Sequence, residues 1–140
     1  MSDIRIVVAR TLDALPILQI HREVLEEDRY FVTSAEEFHE SMETREEKLR
    51  AYAASENSVY LCAKQGRRVL GFVFLTGGAL ARARHSAKLE IMVTPKARGK
   101  GVGKQLMEAA ISWAETNPIV TRIGLNVFSD NTHAIALYTH

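Results

Sequence analysis

The stretch Leu89-Glu90-Ile91-Met92-Val93-Thr94-Pro95-Lys96-Ala97-Arg98-Gly99-Lys100-Gly101-Val102-Gly103-Lys104 decides how this chain is read. From Ala87 to Val93 the residues are apolar and rich in β-branched types, which predicts a strand. Pro95 stops it, because proline has no N–H to give to a ladder. Beyond Gly103, the residues Leu106, Met107, Ala110, Ile111 and Ala114 recur at helical spacing. Between strand and helix lie Gly99, Gly101 and Gly103, set among Lys96, Arg98, Lys100 and Lys104. Glycine lets backbone come close to a ligand and take up dihedrals other residues avoid. A helix N-terminus adds unpaired N–H groups and a partial positive charge. The pattern predicts a site for a phosphate or pyrophosphate. A basic helix start with a flexible glycine turn is the bland alternative.

Two familiar phosphate templates fail on this stretch. A Walker loop counted back from Gly103-Lys104 puts Arg98 where its first glycine belongs and Gln105 where a magnesium-binding hydroxyl belongs. A dinucleotide fingerprint started at Gly99 places its third glycine on Lys104, and started at Gly101 it places it on Leu106. What remains is Arg98-Gly99-Lys100-Gly101-Val102-Gly103, which fits Arg/Gln-x-x-Gly-x-Gly/Ala. This resembles the acyl-CoA pyrophosphate loop of the GCN5-related N-acetyltransferase superfamily.

A length of 140 residues suits one domain, residues 1–140. An apolar fraction of 46% and a charged fraction of 25% are ordinary for a soluble globular protein. The net charge of +1 advertises no nucleic-acid surface, and no apolar run approaches the roughly 18 residues of a membrane span. The first residues do not form a signal peptide, and the single cysteine, Cys62, excludes an internal disulfide, so a cytoplasmic location is expected. Cys62 lies in an apolar stretch and reads as a buried small side chain. Histidines and carboxylates show no ligand spacing, so no metal is expected.

Residues 4–9 read as a first strand, followed by a helix that Thr11 caps, with Asp13 in its first turn. Ser34 and Glu37 have capping-box spacing before a charged helix, with Phe38, Met42, Leu49 and Tyr52 for its buried side. Residues 59–64 and 69–75 read as an antiparallel pair around the turn 65–68. Asn117-Pro118 breaks the long helix, 122–128 is another strand, and Ser129-Asp130-Asn131 caps a last helix with Ala134, Leu137 and Tyr138. The predicted order is β α α β β β α β α, an α/β fold with a mixed central sheet flanked by helices. The segment Asn131-Thr132-His133-Ala134-Ile135-Ala136-Leu137-Tyr138 is similar to the same superfamily's Asn-x-x-Ala-x-x-Leu-Tyr helix. With two motifs in order, the chain is identified as a member of that superfamily.

The resemblance implies an N-acetyltransferase that moves the acetyl group of acetyl-CoA to a primary amine. It implies a ternary complex and a small-molecule acceptor such as an amino acid or polyamine, the alternative acceptors being a protein N-terminus or lysine. Arg98, Gly99, Lys100, Gly101, Val102, Gly103 and Lys104 would hold the pyrophosphate, and main-chain groups of Ile91, Met92 and Val93 the pantetheine arm, in a gap where the strand splays from its neighbour. An N–H near Val93 would polarise the thioester carbonyl. An alkyl ammonium has a pKa of roughly 10 and needs a base. Glu90 is the best-placed carboxylate, with a solvent-facing or arginine-paired role as its alternative, and His85 is second. By resemblance Tyr138 is the general acid for the thiolate and Asn131 contacts the cofactor arm; a core aromatic and a helix cap are the plain alternatives. Residues 25–42 would line the acceptor side, where Glu26, Glu27 and Asp28 beside Tyr30 and Phe31 suit a cationic amine or are a solvated helix end.

The family pattern continues through a Gly-Phe turn into two more strands, whereas this chain stops at His140. The expectation is a C-terminally short member whose strand around Leu125 has an exposed edge, covered by a second copy in a homodimer. A catalytically weak CoA-binding module, or an incomplete fragment of such an enzyme, is the rival expectation.

Overall fold

A computed structural model describes residues 3–27, 40–127 and 133–139, with backbone alone beyond Gly124. Strand β1 (Ile4–Val8) leads through a 3-10 turn (Thr11–Asp13) into α1 (Ala14–Glu27), and α2 is Met42–Ala54. There follow β2 (Val59–Gln65), β3 (Arg68–Gly77), β4 (Ser86–Val93), α3 (Val102–Thr116), β5 (Arg122–Val127) and β6 (His133–Thr139). The strands lie side by side in chain order in one six-stranded sheet. Each neighbouring pair is antiparallel except β4 and β5, which are parallel because α3 carries the chain back across the sheet.

Alternation along the strands splits the core into two layers. Leu61, Val73, Leu75, Ala87 and Leu89 point to one face and meet Val102, Leu106, Ala110 and Ala114, the buried stripe of α3. Tyr60, Cys62, Phe72 and Met92 point to the other and meet Ile17, Ile20 and Val24 of α1 and Leu49 of α2. The aromatic rings there form a packed row, with Tyr60 stacked on Phe74 at 4.9 Å between centroids. Cys62 is fully buried, and burial and the Asp13 carboxylate push its thiol up to about 12, so it is an inert core side chain.

The sequence-based boundaries shift at the starts of α1 and α2. Thr11 does not cap α1: the chain turns at Arg10, whose N–H donates to the Asp13 carboxylate at 2.9 Å. Buried Asp13 also pairs with Lys64 at 2.7 Å, so a residue expected to serve a helix dipole ties α1 to β2. The helix carrying Leu49 and Tyr52 starts at Met42, capped by the Ser41 hydroxyl accepting from Thr44 N–H at 3.1 Å. The Ser34–Glu37 box, Phe38, Asp28, Tyr30 and Phe31 lie outside the described residues.

The largest correction is at the end of the chain, where residues 133–139 form β6 and not a helix. A two-turn helix repays its nucleation cost poorly, whereas β5 offers a row of unpaired backbone groups that an adjacent segment can satisfy. Val127 pairs with His133, Leu125 with Ile135 and Ile123 with Tyr138. The edge of β5 expected to be open to a second copy is therefore covered by the chain itself.

Candidate active site

The glycine loop is held at both ends and open in the middle. Thr94, 5% exposed, donates its N–H to Leu70 O at 2.9 Å, and Ala97 N–H returns to Thr94 O at 2.9 Å, closing a tight turn over Pro95–Ala97. The backbone then passes through Gly99 and Gly101, both at φ +80°, a conformation that a side chain would strain. No atom lies within 4 Å of where a Cβ would stand at either glycine. Gly101 precedes α3, and the first helical bond runs from Gln105 N–H to Gly101 O at 3.1 Å. The N–H groups of Val102, Gly103 and Lys104 are thus the first-turn donors without an intrahelical acceptor. Their positive end of the helix is flanked by exposed Lys100 and Lys104.

Next to the loop, β4 offers a second set of backbone groups. Its ladder to β5 covers Ser86 to Leu89 only, so Glu90 to Val93 run on without a β5 partner while still paired to β3. The bond from Thr94 N–H to Leu70 O sets the phase of the β3–β4 ladder. N–H and C=O groups alternate sides along a strand, so those of Met92 turn to β3 and those of Ile91 and Val93 turn to the side β5 has left. Gly71 permits this close pairing, since a Cβ there would stand 2.7 Å from Met92 O.

Loop, helix start and strand edge share one cavity of about 440 Å³. Its walls include Ile91, Met92, Val93, Arg98, Gly99, Gly101, Val102, Gly103 and Lys104. Of the residues expected to act together here, Lys100 lies on the exposed loop just outside the walls, and Asn131 falls outside the described residues. Val24 of α1, a buried core residue, also lines the cavity.

Glu90 precedes the cavity walls and faces the opposite layer, cross-strand from Phe74 and on the side of α1 and α2. Burial pushes its carboxyl above the usual range, and Lys48 and Lys88 offset this only in part. Among the described residues it makes no hydrogen bond or ion pair. Beside it lies a network that sequence reading missed. Buried Arg45 reaches both oxygens of Glu40, donates to Tyr60 Oη at 3.1 Å and meets His21 Nδ1 at 2.8 Å. Burial and the Arg45 charge hold the His21 pKa down to about 4, so its ring is neutral and accepts from the guanidinium. Burial works to raise the Glu40 carboxyl, yet bonds from Arg45 and Lys48 bring it below the usual range. Of the two arginines in this charged helix, Arg45 and Arg50, nothing in the sequence marks Arg45 as the one turned inward.

Two expected partners are not brought to the cavity. His85 is exposed at the start of β4, eight residues and so about 26 Å from Val93. Tyr138 is paired with Ile123, which is level with Ala87, so its backbone lies about 20 Å along the sheet from Val93. The antiparallel return of β6 causes this: it brings His133 towards the open end and carries Tyr138 away. Among the described residues, no group of histidine, cysteine or carboxylate side chains could hold a metal ion, and no helix is long and apolar enough to cross a membrane.

Known proteins share the fold that carries these elements. The model of the acetyltransferase (GNAT) family matches residues 18–140. Over 78 residues, 54% of this chain, the sequence is 40% identical to mycothiol acetyltransferase of Jonesia denitrificans; the match spans 23% of that protein, about a quarter of its length. A GNAT-family acetyltransferase from Streptococcus pneumoniae superposes with a TM-score of 0.82 at 28% identity, over 89% of this chain and 74% of that one. An acetyltransferase structure from Salmonella typhimurium, solved with its cofactor acetyl-CoA, shares the fold with a TM-score of 0.79 at 16% identity, over 90% and 70%.

Proposed function

Since the chain belongs to the acetyltransferase (GNAT) family, we propose that it transfers the acetyl group of acetyl-CoA to a primary amine of a small molecule, by direct attack in a ternary complex. One observation carries this reading: the free backbone edge of Ile91 and Val93 and the first-turn N–H groups of α3 face a single cavity. A pyrophosphate needs converging amides and room beside them, and Gly99, Gly101 and Gly103 leave that room. A pantetheine arm needs amide partners in an extended line, which β4 supplies beyond Leu89. The thioester that acetyl-CoA brings is the only activated bond the reaction requires.

The chain's own residues then have distinct roles. Lys104 and the amides of Val102 and Gly103 bind the diphosphate charge, with Arg98, Lys100 and Gly101 around it. Val93 N–H stands where it can donate to the carbonyl oxygen as negative charge gathers there. Glu90 takes the proton from the amine, directly or through water; its raised pKa brings it nearer to the pH at which a base is effective. A thiolate whose conjugate acid titrates at about 8.5 can take its proton from water, so transfer does not require Tyr138 at the cavity. The acceptor approaches on the α1–α2 face, because that is the face Glu90 occupies. A CoA-binding module with little turnover is the second reading, favoured by the distance of Tyr138 from Val93.

Calorimetric titration with acetyl-CoA, followed by a panel of amino acids, polyamines and short peptides scored by free-thiol release, tests both. Saturable binding with thiol release from a small amine is the expected result. Binding without release from any acceptor leaves the module reading, and absence of binding overturns both.

A further inference from the structure

Thr94 is the first residue after β4, and it is held from three directions. Its N–H donates to Leu70 O on β3, its C=O accepts from Ala97 in the turn, and its hydroxyl donates to Glu23 Oε1 of α1 at 3.3 Å. The first two bonds belong to the strand end and the turn and would form with any residue but proline. The third depends on the side chain: a hydroxyl of a buried residue reaches 71 residues back to α1. Glu23 is flanked on α1 by Val24, a wall of the 440 Å³ cavity, and itself lines a groove of about 380 Å³ with Gln19, Glu26 and Glu40. Glu23 therefore lines the second space next in sequence to a wall of the first.

We propose that Glu23 and Thr94 are positioning residues, which fix the height of the Val93 N–H over the thioester by locking the end of β4 to α1. The Val93 N–H has no strand partner of its own, because it faces the side that β5 has left. Its position depends on the next peptide unit, and among the described residues the Thr94 hydroxyl is the side-chain group that ties that unit to a helix. An oxyanion donor must be placed closely, since a misplacement of about 1 Å can cost on the order of 100-fold in rate. The diphosphate amides at α3 are anchored separately, through Gly101 and the helix. Loss of the Glu23–Thr94 bond is thus expected to reach turnover and to spare cofactor affinity.

The inference rests on the proposed acetyl transfer for its kinetic arm. Thr94→Val keeps the shape and removes the hydroxyl, Thr94→Ser restores it, and Glu23→Gln keeps an acceptor oxygen. The expected result is a fall in kcat of about tenfold for Thr94→Val and for Glu23→Ala. Kd for acetyl-CoA should stay within about twofold, with Thr94→Ser and Glu23→Gln near wild type. An unchanged kcat, or a joint loss of kcat, affinity and melting temperature, overturns the proposal. Amide hydrogen exchange at position 94 gives an arm independent of the reaction: protection should fall in Thr94→Val, and full protection there overturns the lock. Failure of the wild type to bind acetyl-CoA would instead refute the proposed function and leave the exchange result to decide this one.

Discussion

The glycine loop before α3 and strand β6 are both short segments beside the same sheet, and they are shaped by opposite kinds of force. The loop is set locally. Gly99 and Gly101 take φ +80° because they lack a Cβ, Pro95 ends the strand, and the helix that follows has its own apolar stripe. Strand β6 is set by a pairing partner outside itself, the unpaired row of groups on the preceding strand β5 that residues 133–139 satisfy. A site built from the first kind of segment keeps its geometry through local change. One built from the second depends on which partner the segment finds.

The largest expected effect sharpens this contrast at the loop. Gly101→Glu puts a carboxylate into open space beside the α3 amides, and acetyl-CoA affinity should fall by at least about 100-fold, some 2.7 kcal/mol, by calorimetry. Gly101→Asn meets the same left-handed φ with a residue that tolerates it, and should lose less than about tenfold. Equal losses in the two variants would mean that backbone strain, and not the anion site, is being measured.

The same contrast explains what could be read from the sequence. Strands β2 to β5 and α3 were legible within a residue or two, because alternation and helical spacing are local signals and agree with the burial that forms. The shape of the loop was legible because Pro95, the glycines at positive φ and the apolar stripe of α3 are all local signals. The end of the chain was not: Ala134, Leu137 and Tyr138 have helical spacing, yet their backbone groups are claimed by β5. Arg45 and Glu23 were illegible for another reason. Each looks like a solvated helix charge until the partner that turns it inward, Tyr60 or Thr94, is placed by the sheet.

Glu90 is the next test, one residue from the cavity yet on the other face. Glu90→Gln should lower kcat by about 100-fold, the ordinary worth of a general base. Since burial raises the Glu90 pKa, the acid limb of the pH–rate profile should lie above the usual carboxylate range, and Lys48→Met should move it higher still. Glu90→Gln should also raise the melting temperature slightly, because it removes a half-buried charge that no described residue bonds. A variant that loses stability along with activity would mark Glu90 as structural.

His21 tests the α1–α2 layer by stability alone. Its pKa is about 4 folded and near 6.5 unfolded, so between those values the unfolded chain binds more protons. Stability is complete above pH 6.5 and is lost as pH falls towards 4. Discounted for the ring's partial contact with solvent, the loss is on the order of 1–2 kcal/mol. Denaturant unfolding of His21→Gln should show a flatter slope over this window. The same slope in both proteins would place the acid sensitivity elsewhere.

The smallest expected effect returns to β6. In the strand, the Tyr138 backbone lies level with Ala87, about 20 Å from Val93, so Tyr138→Phe should leave kcat within about twofold. A tyrosine on a helix at the cavity, acting as the acid for the thiolate, would instead cost on the order of 100-fold on removal, with the alkaline limb of the profile displaced. The single hydroxyl deletion therefore distinguishes the two arrangements of residues 133–139 during turnover. Its reading is clean because Phe keeps the ring in either arrangement, and only the proton is at stake.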